Sequence, residues 1–299
     1  MALLDRAIVR ALPAVPRRLV RALASPYIAG PSLEDAVDVV RQLNARGQAA
    51  TIDVLGEEIT REDEARAICR AYHEVLARIG AEALRSGISV KPTALGLELD
   101  YAFCRENLRS VVEDAAARGR FVRIDMEDAS TTDDTLRLYR ELRAGGHANV
   151  GVVLQARLRR TLADAPGLGN VRLCKGIYLE PPSIAYQDAE EIRDSFRATL
   201  RALLDDGAYV GIATHDETLI EDALDQIRER RLSPEQYEFQ MLLGVRSARG
   251  DELVRDGHRL RIYVPFGTHW YEYSVRRLQE NPAIAGYVAA DVMRRLVRR

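Results

Sequence analysis

Eight short runs rich in β-branched and aliphatic residues recur along the chain, most of them followed by a segment of helical periodicity. They are "TIDVLG" (Thr51–Gly56), "GISVKPT" (Gly87–Thr93), "FVRIDME" (Phe121–Glu127), "VGVVLQA" (ending at Ala156), "VRLCKGIY" (Val171–Tyr178), "YVGIATH" (Tyr209–His215), "EFQMLLG" (Glu238–Gly244) and "LRIYVPFG" (Leu260–Gly267). Between them, apolar residues recur at helical spacing over 62–84, 103–117, 132–143, 183–204 and 217–230. Strands alternating with helices call for a parallel sheet, and eight such units in 299 residues predict an α/β fold of the (βα)8 barrel type. Residues 1–46 then form an N-terminal helical segment, and 47–299 the barrel.

Composition excludes several classes. Lys+Arg is 43 against Asp+Glu 45, a net charge of −2, which gives no general attraction to nucleic acid. Three cysteines without a CxxC pair argue against a disulfide framework or a cysteine zinc site and fit a reducing compartment. No apolar run has the length of a transmembrane helix. The N-terminus mixes arginines with short apolar runs, which suits a packing helix or a helix lying on a membrane surface. Neither the Rossmann fingerprint nor the P-loop occurs.

Barrel enzymes carry their chemistry at the C-terminal ends of the strands. There the sequence places Lys91, then Asp125 and Glu127, then Gln155, Arg172 with Lys175, then Thr214, His215 and Asp216, then Gln240, and Tyr263. Taken singly, these have plain structural uses: Asp125 or Asp128 as a helix cap, His215 as a hydrogen-bonded core residue, Gln155 as a partner for backbone. Their collection at one rim is the signal. The first strand adds no such residue to this reading. Lysine stands only at Lys91 and Lys175 in a chain that otherwise uses arginine. After the last strand, "YSVRRLQENP" puts Tyr273, Arg276, Arg277 and Glu280 on one face of a helix, where an apolar stripe would ordinarily lie. Paired arginines hold a carboxylate bidentately, so a set this rich in cations suits an anionic ligand. From the residues alone, a barrel aldolase with Lys175 as Schiff-base lysine and a non-catalytic anion-binding protein remain open beside an enzyme that binds a redox cofactor.

The motifs "SVKPTALG", "IDMED", "VVLQA", "VRLCKGIYLEP", "GIATHDE", "FQMLLGV", "RIYVPFGTHW" and "YSVRRLQEN" occur in that order from about Lys91 to Asn281. In this the chain resembles the proline dehydrogenases of the monofunctional, bacterial type. The resemblance implies a distorted (βα)8 barrel with FAD at the C-terminal rim and the eighth barrel helix over the mouth. It implies oxidation of L-proline to Δ1-pyrroline-5-carboxylate by hydride transfer from C5 to flavin N5, the first step of proline degradation to glutamate. A quinone then takes the electrons, and a separate pyrroline-5-carboxylate dehydrogenase takes the product. The expected location is the cytoplasm, with peripheral association at the inner face of the membrane.

Carried over by position, Arg276 and Arg277 resemble the pair that grips the proline carboxylate. Lys91 stands near that carboxylate and is expected to pair with Glu280 and other acidic groups. Leu242, Tyr263 and Tyr273 resemble the walls around the ring. Asp125 and Arg172 resemble the catalytic aspartate and the arginine beside flavin N5. Met126, Gln155, Lys175, Gly176, Ile177, Thr214, His215 and Glu280, together with Arg172, match cofactor-contacting positions. Two departures stand out. Ile177 replaces a small residue, and the stretch from Tyr263 to Tyr273 is short and carries Trp270. The bulk of Tyr263 would favour proline over 4-hydroxyproline.

Overall fold

The computed structural model describes residues 26–56, 59–268 and 270. Their centre is a closed barrel of eight parallel strands in sequential order. The strands are β1 (Ala49–Val54), β2 (Ser86–Val90), β3 (Val122–Ile124), β4 (Val150–Gln155), β5 (Asn170–Cys174), β6 (Tyr209–Ala213), β7 (Tyr237–Leu242) and β8 (Leu260–Phe266). The helices are α1 (Leu33–Ala45), α2 (Glu62–Ala81), α3 (Tyr101–Ala117), α4 (Thr132–Ala144), α5 (Thr161–Asp164), α6 (Ala189–Asp205), α7 (Glu217–Arg230) and α8 (Ser247–Arg255). All eight expected strands are present. The short α5 and α8 follow β4 and β7, after which no clear helical period is visible in the sequence. The helix expected from 183 starts at Ala189 because the Asp188 carboxylate accepts from the N–H groups of Glu190 and Glu191 and caps it there. The helix expected after β8 lies outside the described residues.

Strand alternation divides the side chains into two sets. Ile52, Val54, Ile88, Val90, Ile124, Val152, Leu154, Leu173, Ile212, Phe239, Met241 and Val264 are all buried in the apolar layer beneath the helices. The helices meet them with stripes such as Ala65, Cys69, Tyr72, Val75, Leu76 and Ile79 of α2. Each such aliphatic side chain removed from water stabilises the fold by about 1.5–3 kcal/mol. The alternate positions turn into the lumen and are polar: Asp53, Ser89, Arg123, Arg172, Glu238 and Gln240 are buried there.

Large polar side chains need space, and glycine supplies it. Gly151 pairs in register with Arg123, and Gly211 lies between Arg172 on one neighbouring strand and Glu238 on the other. A Cβ on Gly151 would stand 2.3 Å from Arg123 Nη1 and 2.8 Å from the Asn170 carbonyl oxygen.

Before the first strand, α1 begins with a capping box between Ser32 and Asp35 and buries Val37, Val40 and Leu43. It packs against both β1 and β8. In a regular barrel that outer groove belongs to the helix after β8. The preceding chain adds to the closure: the Ala29 N–H donates to the Pro265 carbonyl, and the Gly267 N–H to that of Gly30.

Gly151→Ala is expected to destabilise the barrel by about 1–3 kcal/mol, because the Asn170 backbone cannot give way. Gly80→Ala in α2, where the nearest atom would be 3.9 Å from the new Cβ, is expected to stabilise by about 0.5–1 kcal/mol. Urea unfolding of the two variants checks both signs.

Candidate active site

The polar ends of the strands form a connected network at the C-terminal mouth. Asp125, just beyond β3, is its centre. Its Oδ1 accepts from Ser89 Oγ at 2.7 Å and from Arg172 Nη1 at 2.6 Å, and its Oδ2 accepts from the Tyr263 hydroxyl at 3.0 Å. Arg172 also donates from Nη1 to Ser89 Oγ and from Nε to Gln240 Oε1 at 2.6 Å. Its guanidinium carbon lies 5.3 Å from the centre of the Tyr263 ring, within cation–π range. Residues from β2, β5 and β8 thus converge on one carboxylate, and Gln240 of β7 joins them through Arg172.

Lys91 joins the same network by another route. Its Nζ is 2.7 Å from Asp53 Oδ2 and 3.5 Å from the Tyr263 hydroxyl, with both members of the ion pair buried. Tyr72 of α2 donates to the other Asp53 oxygen at 3.3 Å. Burial works most strongly against the ammonium, but Asp53, Tyr263, Tyr72 and Asp125 together outweigh it and hold Lys91 well above its usual range. Tyr72 is likewise pushed well above the usual phenol range, by burial first and then by Asp53, so it stays a donor.

Here the structure corrects the reading of the sequence. The carboxylate at Lys91 comes from β1, the strand that had been given no role. An Asp between Ile52 and Val54 in "TIDVLG", at a lumen-facing register, was the available signal. Ser89, on the lumen side of β2, was missed for a similar reason, since a serine in a strand carries little sequence signal.

A second group stands at the ends of β4, β5 and β6. Lys175 follows the last residue of β5, is partly exposed, and pairs with Asp216 at 3.1 Å. It stands at the rim, one residue past the strand. Its Nζ is engaged by a carboxylate at the rim, and the aldolase reading finds no support in this geometry. Asp216 also receives Arg193 Nε at 2.8 Å and caps α7 through the Thr218 N–H. Gly176 adopts φ +92°, a conformation suited to glycine, and a Cβ there would meet Gln155 Oε1 at 2.7 Å. Gln155 donates to the Glu127 carbonyl, and Thr214 Oγ1 accepts from the Asp216 N–H.

The remaining positions are more plainly structural. His215 Nε2 accepts from the Leu242 N–H at 3.0 Å, which fixes the neutral ring with its proton on Nδ1. Desolvation, then the charges of Arg246 and Lys175, lowers its pKa to about 4. Leu242 is partly exposed and pairs in register with Tyr263. Met126 is buried in the apolar core, while Ile177 is partly exposed. Glu127 accepts from both the N–H and the hydroxyl of Thr93 and so ties β3 to the turn after β2. Asp128 caps the next turn through the Ser130 N–H, whereas Asp125 serves no helix end. Tyr273, Arg276, Arg277 and Glu280 lie outside the described residues. Among those described, no group of His, Cys, Asp and Glu is arranged to hold a metal ion, and no helix is long and apolar enough to cross a membrane.

Lys91→Met strands the Asp53 charge in the interior and is expected to cost about 3–5 kcal/mol in urea unfolding. Lys91→Met with Asp53→Asn is expected to recover a large part of that loss. For His215 the folded pKa lies below the ordinary value of 6.5. Its contribution is therefore complete above pH 6.5 and lost as pH falls toward 4. In His215→Asn, stability measured across that window is expected to fall less steeply with acid than in the wild type.

Comparison with known proteins gives this geometry a family. The sequence matches the family model of proline dehydrogenase over residues 36–290. It is 36% identical over 276 residues to Proline dehydrogenase 1 of Bacillus subtilis subsp. natto, covering 91% of each chain. To Proline dehydrogenase of Deinococcus radiodurans it is 32% identical over 280 residues, covering 91% of this chain and 90% of the other. A crystal structure of proline utilization A from Bdellovibrio bacteriovorus, inactivated by N-propargylglycine, superposes with a TM-score of 0.84 at 24% identity. That match covers 92% of this chain and 36% of the larger protein, and it shows the shared barrel. With the family model spanning most of the barrel, the chain belongs to the proline dehydrogenase family.

Proposed function

We propose that this chain oxidises L-proline to Δ1-pyrroline-5-carboxylate with FAD as its cofactor and a quinone as the acceptor. The observation that carries the reading is the network on Asp125, in which Arg172, Ser89 and Tyr263 are locked together at the C-terminal mouth of a proline dehydrogenase barrel. The residues present fit a flavin. Arg172, Lys175 and Lys91 supply positive charge around the mouth, and the left-handed Gly176 lets a flat group approach the Gln155 amide without a side chain between them. In this reading Met126, Gln155, Arg172, Lys175, Gly176, Ile177, Thr214, His215 and Glu280 surround FAD. When bound, FAD supplies the acceptor, N5, for the hydride leaving proline C5.

The chain's own side chains do the rest by position and charge. Arg276 and Arg277 grip the carboxylate, and Leu242, Tyr263 and Tyr273 confine the ring. Lys91 adds positive charge near the carboxylate. Arg172, held at Nε and Nη1, is a cation fixed before substrate arrives, so no reorganisation is needed as negative charge accumulates next to it. Occupation of the β8–β1 groove by α1 supports placing the arginine helix over the mouth, since its regular seat is filled. The product passes to a separate pyrroline-5-carboxylate dehydrogenase, and the protein works in the cytoplasm or at the inner face of the membrane.

Anaerobic titration with L-proline tests this directly. The purified protein is expected to be yellow and to bleach as proline is added; a colourless protein, or a yellow one indifferent to proline, overturns the proposal. Arg276→Ala is expected to raise the proline KM by about 10- to 100-fold while flavin stays bound, as loss of a charge-assisted carboxylate contact implies.

A further inference from the structure

We propose that Glu238 is a positioning residue for Arg172, acting through the side-chain amide of Gln240. Two donors converge on Glu238 Oε1: Arg261 Nε and Gln240 Nε2, both at 2.6 Å. On its other side the Gln240 amide presents Oε1 to Arg172 Nε, also at 2.6 Å. An ionised carboxylate only accepts and a guanidinium only donates, so this amide has one allowed orientation. Turned over, it would set an oxygen against the Glu238 carboxylate and an NH2 against the Arg172 N–H. Both contacts would be repulsive between side chains buried from solvent.

The charge that imposes this direction is secure. Burial acts to raise the Glu238 pKa, but the Arg261 charge and hydrogen bond, and that of Gln240, outweigh it and hold it below its usual range. Arg261 is anchored in turn through Nη1 to the Ala50 carbonyl on β1. Space is fixed as well. Gly211 lies in register between Arg172 and Glu238, and a Cβ there would stand 2.3 Å from Gln240 Nε2. The amide crosses the lumen over this glycine. A chain of directed hydrogen bonds thus runs from β1 through Arg261, Glu238 and Gln240 to Arg172, whose Nη1 rests on Asp125. Two fixed points, Gln240 at Nε and Asp125 at Nη1, determine the plane of the guanidinium.

The inference rests on the reading of Arg172 as the cation beside the redox cofactor. Isosteric exchanges test it in the full-length holoenzyme. Gln240→Glu sets two carboxylates together and is expected to be the least stable and slowest variant. Glu238→Gln removes the charge that enforces the direction and is expected to slow flavin reduction at saturating proline about tenfold, a loss of about 1.4 kcal/mol, with KM changed less than about twofold. The reciprocal double variant, Glu238→Gln with Gln240→Glu, returns the network to a single carboxylate between Arg261 and Arg172 and so removes the repulsion of the Gln240→Glu enzyme. It is expected to recover both urea midpoint and reduction rate relative to Gln240→Glu alone. Since the side chains keep their volume, packing does not account for such a recovery. A Glu238→Gln enzyme matching wild type in rate and midpoint overturns the proposal, as does a double variant no better than Gln240→Glu. The urea arm judges the coupling whatever the substrate, whereas a wild-type protein that proline does not bleach defeats the functional reading instead.

Discussion

A carboxylate buried inside a barrel is unstable without donors, and the arrangement of this site follows from how Asp125 is supplied with them. Serine, arginine and tyrosine from three other strands all point at its two oxygens. Removing charge from water costs several kcal/mol per ion, and only close, well-directed partners offset it. Those partners have further needs. Arg172 takes Gln240, and Gln240 takes Glu238 and through it Arg261, while Tyr263 lies within reach of Lys91, which takes Asp53. Satisfying one charge recruits the next, so that Asp53, Lys91, Ser89, Asp125, Arg172, Gln240, Glu238, Arg261 and Tyr263 form one polar network. The barrel is thereby an ordered array of charges before any ligand enters, which is the condition under which electrostatics contributes most to catalysis.

Such a lumen changes how the barrel closes. An interior of Val, Ile and Leu fills space by interdigitation, but guanidinium and amide groups require specific distances and planes. Glycines facing inward on β4 and β6 make that geometry possible by leaving volume where Arg123 and Gln240 cross. Arg123 uses its space to reach the backbone carbonyls of Val152 and Asn170, so part of the sheet's own polar surface is spent on a side chain instead of water. The apolar contribution to stability is carried outside, between strands and helices, where volume tolerance is greater. Separation of the two jobs by strand parity allows the lumen to be chemically specialised while the outer layer holds the fold.

Much of this was legible in the sequence. The eight β-rich runs carry the strand count, and the polar residues at their C-terminal ends, Lys91, Asp125, Arg172, Gln240 and Tyr263 among them, mark the rim. Pairing was not legible. Nothing local to "TIDVLG" says that its aspartate meets a lysine 38 positions on, because that contact depends on the register of β1 with β2 and on the reach of a lysine side chain across the mouth. The short helices escaped for another reason: four residues of α5, and an α8 with Gly250 at its centre, are too brief or too broken to show a period. His215 shows the limit from the other side. Residue type left open a core hydrogen bond or a place at the site, and only the structure shows its Nε2 accepting from a backbone N–H.

The rim and the lumen are also coupled, and Asp216 shows how. It caps α7, draws in Arg193 from α6, and holds Lys175 at the end of β5. Helix capping alone would need only a small polar side chain with one free oxygen. The additional ion pairs use its second oxygen, and they fix the start of the β5–α6 connection, in which Gly176 has its left-handed turn. Arg172 and Lys175 lie on the same strand and its immediate extension, so the position of one constrains the other through less than one turn of chain. Asp216 thus stands between the extension of β5, the strand that carries Arg172, and the end of β6, the strand that carries Gly211 beside the Gln240 amide. The surface ion pairs at this mouth act as the outer support of the buried network, and their value lies in holding geometry more than in the small energy each contributes to folding.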